Sequence, residues 1–250
     1  MTEIGRRAWG GLGLKHRERL DETMDDPGLA LRQHFHALSG LARLNRLSRT
    51  AEIFAGELRR FSSPAGSSPL RILDLACGGG DITIGLAKLV HRLPGDFVID
   101  GCDLSPRAVR YAEQQQKRSG VACRFFVLDL VRDPLPDDYD VFVTSLFLHH
   151  LSEVQLTGLL KRMARAARSG FLVNDLRRSA VGYLLAGLSA RLVTRSPVVH
   201  RDSLLSVRAA FRFQELEDLV KRAGLTDARL RRCFPCRFLL SWRKDPGHVR

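Results

Sequence analysis

Three acidic residues, each within or at the end of an apolar run, are the first candidates for chemistry. Asp74 lies in the glycine-rich segment 73–81, LDLACGGGD. Asp103 and Asp129 lie at the ends of the next two apolar runs. Glycines at a strand-to-helix turn let the backbone approach a ligand closely, and the helix N-terminus faces that ligand. A carboxylate in this turn repels a diphosphate and attracts a cationic, amine-bearing group. The pattern therefore predicts a site for a nucleoside that carries an amino acid rather than phosphates.

The two later acids and the leucines beside them have predicted roles toward such a nucleoside. Asp103 is expected to accept hydrogen bonds from both ribose hydroxyls, with Leu104 packed on one face of the adenine. Asp129 is expected to accept from the exocyclic amine of adenine, and Leu130 to close the pocket. A cap or turn role is an equal alternative for any one acid, but three acids at successive strand ends favour the ligand.

Two histidines supply the candidate acid–base chemistry. His149 and His150 follow the fourth apolar run, so they are expected at the same sheet edge as the glycine-rich turn. The pKa of histidine lies near neutrality, which suits a general base that removes a proton from an acceptor hydroxyl. The alternative is that one histidine caps or packs and the other has no role. Asn174 and Asp175 end the fifth run and are predicted to bond an acceptor or to cap the following helix.

These residues require a frame in which strands and helices alternate. Apolar runs predict five strands, and helical spacing bounded by Ser, Pro and Gly predicts the helices. Because crossover helices join such strands, the sheet must be mostly parallel. Residues 226–244 predict two more strands that meet at a Phe234-Pro235 turn and run antiparallel. The predicted strands are 70–77, 97–104, 123–130, 139–151 and 171–176, and the predicted helices are 81–93, 105–120, 152–170 and 213–225.

Two regions rich in leucine, phenylalanine and alanine are expected to cover the site. Residues 29–61 predict two helices with a break near Ser39-Gly40, and residues 177–211 predict a helical insertion after the fifth strand. Lids of this kind carry acceptor specificity and exclude water. Their apolar character favours an apolar or aromatic acceptor.

The predicted organisation is an N-terminal tail and helical cap over 1–69 and a ligand-binding domain over 70–250. Within the first of these, residues 1–27 are expected to be poorly ordered or peripheral because they are rich in glycine and charge. Residues 62–69, SSPAGSSP, are expected to form a loop.

Composition bounds the function classes. The chain has 250 residues, of which 44% are hydrophobic and 27% charged, and this excludes a wholly disordered or collagen-like chain. No apolar run approaches the roughly 20 residues of a membrane span, and the N-terminus shows no secretory signal. Forty basic and 27 acidic residues leave a net charge of +13, which favours nucleic acid, an anionic membrane or acidic substrates. The arginines, however, are scattered along the chain.

The five cysteines do not form a metal-binding pattern. Cys77, Cys102 and Cys123 lie in apolar runs and are expected to be reduced thiols of a cytoplasmic protein. Cys233 and Cys236 form a lone C-x-x-C, and zinc sites need a second pair of ligands. No metal is therefore expected.

The motif D-x-A-x-G-x-G, followed by an acid after the second strand and Asp-Leu after the third, resembles the class I S-adenosylmethionine-dependent methyltransferases. The resemblance covers about residues 70–176. It implies an α/β, Rossmann-like fold: a seven-stranded, mostly parallel sheet with an antiparallel last strand, helices on both faces and an N-terminal helical cap. It also implies S-adenosylmethionine as cofactor and S-adenosylhomocysteine as product.

The resemblance assigns cofactor contacts residue by residue. The backbone around Ala76 and Cys77 is expected to hold the methionine part, and the backbone near Ser145 to meet the ligand's amino group. The predicted cofactor-binding residues are Asp74, Ala76, Cys77, Gly78, Gly80, Asp103, Leu104, Asp129, Leu130 and Ser145.

The hypothesis is a methyltransferase that acts on a small aromatic or polyketide- or quinone-like acceptor, at oxygen, with His149 or His150 as base. An RNA or protein methyltransferase is the alternative, supported mainly by the charge. Segment 145–148, SLFL, lacks the Asn-Pro-Pro-Tyr-like tetrapeptide that base-amine methylation often uses, so nucleic acid is not the expected partner. A third hypothesis is a cofactor-binding protein that has lost its acceptor site. Contact with an anionic membrane, and a monomeric or homodimeric state, are left open.

Overall fold

The computed structural model describes residues 13–61 and 69–244 of the chain. The N-terminal twelve residues and most of the predicted loop at 62–69 lie outside the described residues. Short 3-10 turns occur at Thr23–Asp25 and Leu148–His150. The strands are β1 (Leu70–Leu75), β2 (Phe97–Asp103), β3 (Phe125–Val127), β4 (Val141–Ser145), β5 (Gly170–Leu176), β6 (Arg229–Cys233) and β7 (Arg237–Arg243). The α-helices are α1 (Leu31–Ser48), α2 (Thr50–Leu58), α3 (Asp81–Val90), α4 (Pro106–Ser119), α5 (Glu153–Ala166), α6 (Ala180–Val193), α7 (Pro197–Ala209) and α8 (Phe213–Arg222).

The strands form a seven-stranded sheet in the order β3-β2-β1-β4-β5-β7-β6. Strands β1 to β5 pair in parallel, whereas β7 runs antiparallel to both β5 and β6. This confirms the predicted mostly parallel sheet and its antiparallel ending. The order reverses between β1 and β4, and in open α/β sheets ligands bind at the carboxyl ends of strands at such a point. The fold therefore places the candidate site above β1, β2 and β4.

Helices cover both faces of the sheet. Phe142 faces one core cluster together with residues of α5 and α8, while its neighbour Val141 faces a second cluster with residues of α2 and α3. Leu73 and Ile72 divide between the same two clusters. Because both faces are buried, the central strands read as continuous apolar runs rather than as alternating ones.

Local end signals account for the helices that flank the site. The Ser105 hydroxyl accepts from the Ala108 backbone N–H at 3.3 Å, with Pro106 at the first helical position. Ser152 forms a capping box with Gln155 at the start of α5. Gly120 ends α4 with φ of 70°. These ends were predictable because each depends on residues close together in the sequence.

The N-terminal cap differs from the predicted one in where its helices break. The break falls at Arg49, whose φ is 53°, and not at Ser39-Gly40, which lies within α1. Gly40 serves packing instead: a Cβ there would lie 2.7 Å from the Thr194 hydroxyl, where the insertion crosses α1. The glycine thus permits close approach of two segments rather than a bend.

Part of segment 1–27, which was predicted to be poorly ordered or peripheral, packs against the rest of the fold. Leu14 is fully buried, and the Arg17 guanidinium donates to the carbonyls of His149, Leu151 and Ala209 at 2.5–2.8 Å. The segment therefore packs over the sheet edge that carries the histidines. The prediction was based on the glycine and charge content of the segment. It missed this packing because the Arg17 guanidinium bonds buried carbonyls instead of solvent.

Among the residues that the structure describes, no helix combines the length and apolar character needed to cross a membrane.

Gly80 provides a test of packing beneath the glycine-rich turn. Its φ is 73°, and a Cβ there would lie 2.7 Å from the Phe125 ring and 2.9 Å from Ala112. Gly120 has a similar φ of 70° with no atom within 4 Å of its Cβ position, so Gly120→Ala is the matched control. We expect Gly120→Ala to lower the free energy of unfolding by about 1 kcal/mol through backbone strain. Gly80→Ala should lower it by about 2–4 kcal/mol, because overpacking adds to the strain.

Urea unfolding of both variants measures this difference. Equal losses would contradict the tight packing of Gly80 against α4 and β3.

Candidate active site

The glycine-rich turn is held open by backbone conformations that few residues adopt. Ala76, Gly78 and Gly80 have φ of 55°, 53° and 73°. The Gly78 N–H donates to Asp103 Oδ2 at 2.8 Å, and the Ser105 N–H donates to Asp103 Oδ1 at 2.9 Å. Asp103 thus ties the turn after β1 to the end of β2, and its oxygens keep further lone pairs for hydroxyl donors. Burial raises the pKa of this carboxyl.

Asp74 is buried at the end of β1 beneath the same turn. Its Oδ2 accepts from the Thr83 hydroxyl at 2.7 Å. Burial raises the pKa of Asp74 to about 7, against the opposing effect of the Thr83 hydrogen bond. A cationic ligand nearby would favour the charged carboxylate. In the part of the chain that the structure describes, the side-chain hydrogen bond of Asp74 is to a neutral hydroxyl. A cationic ligand is therefore expected to bind here, because it would stabilise the charged form of Asp74.

Asp129 has the turn role that the sequence analysis gave as the alternative to a ligand contact. Its Oδ1 accepts from the backbone N–H groups of Val131 and Arg132 at 2.8 and 3.2 Å. This holds the turn after β3, and Leu130 is buried beside it. Both residues still line the cavity described next, so a contact with adenine remains a prediction for them.

A cavity of about 830 Å³ lies over the carboxyl ends of β1, β2 and β4. Its wall includes both histidines and every predicted cofactor-binding residue except Gly80, which faces Phe125 and Ala112 instead. Helices α1, α6 and α7, the segment around Glu22 and the turn between β6 and β7 also contribute to the wall. The structure therefore brings the predicted residues together around one space.

The residues of this cavity fit an adenosyl sulfonium that carries an amino acid. The volume lies at the upper part of the range typical of small-molecule sites. A Cβ at Gly78 would meet only the Leu38 side chain, at 4.0 Å, so the backbone there is open to a ligand. Asp103 offers acceptors for hydroxyls, Asp74 offers negative charge for a cation, and Leu104 offers an exposed apolar face.

A buried histidine–aspartate pair faces the same cavity. His149 Nδ1 lies 2.8 Å from Asp175 Oδ1, and the His149 backbone N–H donates to Asp175 Oδ2 at 3.2 Å. Because a carboxylate only accepts, the Nδ1 of His149 carries the proton and Nε2 is left as the proton acceptor. Burial lowers the pKa of His149, but the charge and hydrogen bond of Asp175 outweigh it, and the pKa is raised. The pKa of Asp175 is lowered: burial would raise it, and the charge and hydrogen bond of His149 overcome that effect.

The role of Asp175 was missed in its specifics. The sequence predicts that it bonds an acceptor or caps a helix, but the structure shows it orienting His149. Ser179, not Asp175, accepts from the Gly182 N–H at the start of α6. Asn174, the other predicted candidate, is buried and accepts from Arg237 at 3.1 Å. In the sequence, the only signal for Asp175 was its position at the end of a predicted strand.

Glu22 is a site residue that sequence reasoning did not identify. Its Oε1 lies 3.8 Å from His149 Nε2 and accepts a hydrogen bond from the Ser206 hydroxyl. Burial raises the pKa of Glu22 to about 7. Asp202 holds the segment in place by accepting from the Thr23 and Met24 N–H groups at 3.0 and 2.9 Å. No motif surrounds Glu22, and so nothing in the sequence marked it.

His150 differs from its neighbour in partner and protonation. Its ring centroid lies 4.3 Å from that of His149, and its Nδ1 is 3.7 Å from Asp25. Burial, with the charge of His149, lowers the pKa of His150 to about 3. His150 therefore stays neutral over the physiological range, and the structure gives it no carboxylate in hydrogen-bond contact.

Asp103→Ala tests the predicted ribose contact. We expect the affinity for S-adenosylhomocysteine to fall by about 1–3 kcal/mol, or roughly 5- to 150-fold, because a hydrogen-bond acceptor is lost. Asp100→Ala is the matched control, since Asp100 lies on the same strand and its carboxylate binds Arg124 and Tyr139 instead. Calorimetric titration of both variants measures the difference. Unchanged affinity in Asp103→Ala, or an equal loss in Asp100→Ala, would contradict the assignment.

Known proteins resemble the chain in this same region. Residues 72–170 match the family model described as a methyltransferase domain. The ubiquinone biosynthesis O-methyltransferase of Ralstonia nicotianae is 26% identical over 166 residues, which are 64% of this chain and 65% of that protein. The tRNA N(3)-cytidine methyltransferase METTL2 of Danio rerio is 30% identical over 170 residues, which are 65% of this chain and 46% of that protein. The chain thus spans less than two thirds of the length of either relative.

A solved structure extends the likeness to the whole fold. Human N-acetylserotonin methyltransferase in complex with S-adenosylmethionine superposes with a TM-score of 0.60 at 18% identity, covering 97% of this chain and 68% of that one. At this identity the likeness concerns the fold. The matched domain, the strand order and the glycine-rich turn agree: residues 72–170 are a methyltransferase domain, and the chain has the class I, Rossmann-like fold.

Proposed function

We propose that the chain methylates an oxygen atom of a small aromatic or polyketide- or quinone-like acceptor, with His149 as the general base. The observation that carries this proposal is the buried His149–Asp175 pair, 2.8 Å apart, in which His149 lines the cofactor cavity. A buried carboxylate that orients a histidine is an arrangement suited to removing a proton from a hydroxyl. S-adenosylmethionine supplies the electrophilic methyl group and leaves as S-adenosylhomocysteine.

The residues of the chain divide the remaining tasks. His149 Nε2 takes the acceptor's hydroxyl proton as the new oxygen–carbon bond forms, and the carbon–sulfur bond pair returns to sulfur. Asp175 stabilises the resulting imidazolium through the Nδ1 hydrogen bond. Asp74 and Asp103 hold the cofactor, and orientation of the acceptor against it supplies much of the rate.

The shape and lining of the cavity support a small, apolar acceptor. Leu41 and Leu44 of α1, Leu185 of α6 and Val207 of α7 line the cavity. Together with Phe147 they give its wall an apolar part. An aromatic ring with a hydroxyl group matches such a wall. The relative from Ralstonia nicotianae, whose name refers to ubiquinone biosynthesis, agrees with a quinone-like acceptor.

RNA or protein methylation is the second candidate. The net charge of +13 and the similarity to the tRNA methyltransferase of Danio rerio favour it. The helices that cover the cavity weigh against it, because a polynucleotide needs an open groove leading to the methyl group. A cytoplasmic location and a monomeric or homodimeric state stay predictions.

An acceptor screen with methyl-labelled S-adenosylmethionine separates the candidates. The purified chain would be incubated with phenolic, polyketide and quinol acceptors, and in parallel with bulk tRNA and ribosomal proteins. We expect label in phenolic or quinol products, and mass spectrometry should locate the new methyl group on oxygen. Label found only in RNA or protein, or on carbon or nitrogen of the small acceptors, would overturn the proposal.

A further inference from the structure

The outward side of helix α6 carries a stripe of exposed apolar side chains. Val181, Leu184, Leu188 and Leu192 recur at three- and four-residue spacing, with Leu185 beside them, and their exposed fractions lie between 40% and 77%. Side chains at this spacing share one face of a helix. A contiguous exposed apolar face on a folded chain marks a contact surface more often than chance exposure does.

The cavity reaches this exposed apolar region at two leucines. Leu185 of α6 and Leu47 of α1 both line the cavity, and both are also exposed to solvent. These two leucines therefore form an apolar part of the cavity mouth. A ligand that enters here passes over leucines before it reaches His149.

Exposed arginines lie on α1 and α6 and just beyond α6, and neither helix contains an acidic residue. The sequences of α1, LRQHFHALSGLARLNRLS, and α6, AVGYLLAGLSARLV, contain no Asp or Glu. Arg43, Arg46, Arg191 and Arg195 are exposed on these helices and just beyond α6. The Arg43 guanidinium donates to the Val193 carbonyl at 3.0 Å, which places it at the C-terminal end of the stripe.

We propose that this face, the α1–α6 face, docks on an anionic lipid bilayer. A second copy of the chain is a poorer occupant, because a two-fold interface would bring the same arginines together without acidic partners on these helices. Anionic headgroups complement the arginines, and the leucines enter the boundary of the acyl chains, as in helices that lie in a membrane interface. Docking would place the cavity mouth against the bilayer. The docking surface is independent of the proposed acceptor, whereas entry of the acceptor from the bilayer rests on the proposed function.

Vesicle flotation of the full chain tests the surface without any turnover. Vesicles of phosphatidylcholine with phosphatidylglycerol would be compared with vesicles of phosphatidylcholine alone at physiological ionic strength. We expect the chain to float with the anionic vesicles and much more weakly with the neutral ones. Removing charge with Arg191→Gln and Arg195→Gln should weaken partitioning by roughly fivefold for each arginine.

The apolar stripe is tested by the triple variant Leu184→Ser/Leu188→Ser/Leu192→Ser, whose residues do not line the cavity. We expect it to partition at least about tenfold more weakly, because the apolar area that enters the interface is lost. Val154→Ser is the matched control, since Val154 is an exposed apolar residue on α5, outside this face. Affinity for S-adenosylhomocysteine should stay unchanged in all variants and shows that they are folded.

Three results would overturn the proposal. The wild-type chain fails to float with anionic vesicles, or the triple variant floats as well as the wild type. Alternatively, light scattering shows a wild-type dimer that the triple variant converts to a monomer, in which case a second copy covers the face.

Discussion

Replacing His149 by alanine is expected to lower kcat by about 10²- to 10⁴-fold, the usual contribution of a positioned general base. The loss should appear in kcat rather than in the affinity for S-adenosylhomocysteine, because the proposed role of His149 is toward the acceptor and not the cofactor. A phenolic acceptor identified by the screen serves as substrate. Single-turnover rates with saturating cofactor separate the chemical step from product release.

Two further variants separate the loss of the base from a loss of stability. His149→Ala leaves the Asp175 carboxylate buried without its partner, which by itself destabilises the fold. His149→Asn keeps an N–H that can donate to Asp175 but has no ring nitrogen to take the acceptor proton, and it should be equally inactive. His150→Ala is the matched histidine control and should lose less than about tenfold, since His150 has no carboxylate in hydrogen-bond contact.

Rescue of activity by exogenous imidazole distinguishes a general base from a residue with only a structural role. We expect it to restore part of the activity of His149→Ala and none of that of His149→Asn, whose side chain fills part of the space. If His149→Ala and His149→Asn both turn over at the wild-type rate, the general-base assignment is wrong, while the methyltransferase assignment is unaffected.

Asp175→Asn is expected to lower kcat by about 10²- to 10⁴-fold and to shift its pH dependence. The Asp175 carboxylate orients the His149 ring and stabilises its charged form. An asparagine amide can still hydrogen-bond the ring, but it allows the wrong imidazole tautomer and does not stabilise the positive charge. The expected loss is large because the proton on Nδ1 is what leaves Nε2 free to act as base.

The direction of the pH shift follows from the influences on the pKa of His149: burial and the charge of Arg17 lower it, whereas Asp175, the larger raising influence, and Glu22 raise it. The base must be neutral to accept a proton, so activity rises with pH through the pKa of His149. In the wild type Asp175 raises this pKa above its usual value, so the acidic limb should lie above about pH 6.5. In Asp175→Asn burial remains and lowers the pKa, so the limb should move to lower pH.

A pH profile of kcat for wild type and Asp175→Asn checks this expectation. Asn174→Ala is a suitable comparison, because Asn174 is the neighbouring strand-end residue and bonds Arg237 rather than a histidine. It should change stability without moving the limb. An acidic limb that stays in place in Asp175→Asn, or moves upward, would contradict the pairing.

The sequence was sufficient for the parts of this protein whose causes lie close together along the chain. The strand runs, the Ser105 and Ser152 caps and the glycine-rich turn were all predictable. Periodicity and turn chemistry are properties of neighbouring residues, so they can be read without knowing the fold. The carboxyl-end positions of Asp74, Asp103 and Asp129 followed in turn, because parallel strands end at one edge.

Where the sequence reasoning failed, the local signal was ambiguous. Gly40 looked like a helix break and is a packing contact, because a glycine within a helix can serve either purpose and only the neighbour Thr194 decides. Asp129 allowed either a ligand contact or a turn role; it holds a turn through Oδ1, and the ligand contact stays a prediction. In each case one residue type has two common uses, and the surroundings select between them.

Tertiary structure alone decided which groups lie next to His149. His149 meets Asp175 because β4 and β5 are adjacent and end in register, and Glu22 reaches His149 because Asp202 holds a distant segment over the edge. The exposed stripe on α6 likewise became visible only once the partners of its other side were known. Local chemistry determines which elements form, whereas side-chain pairs across elements depend on register and packing that no short stretch of sequence records.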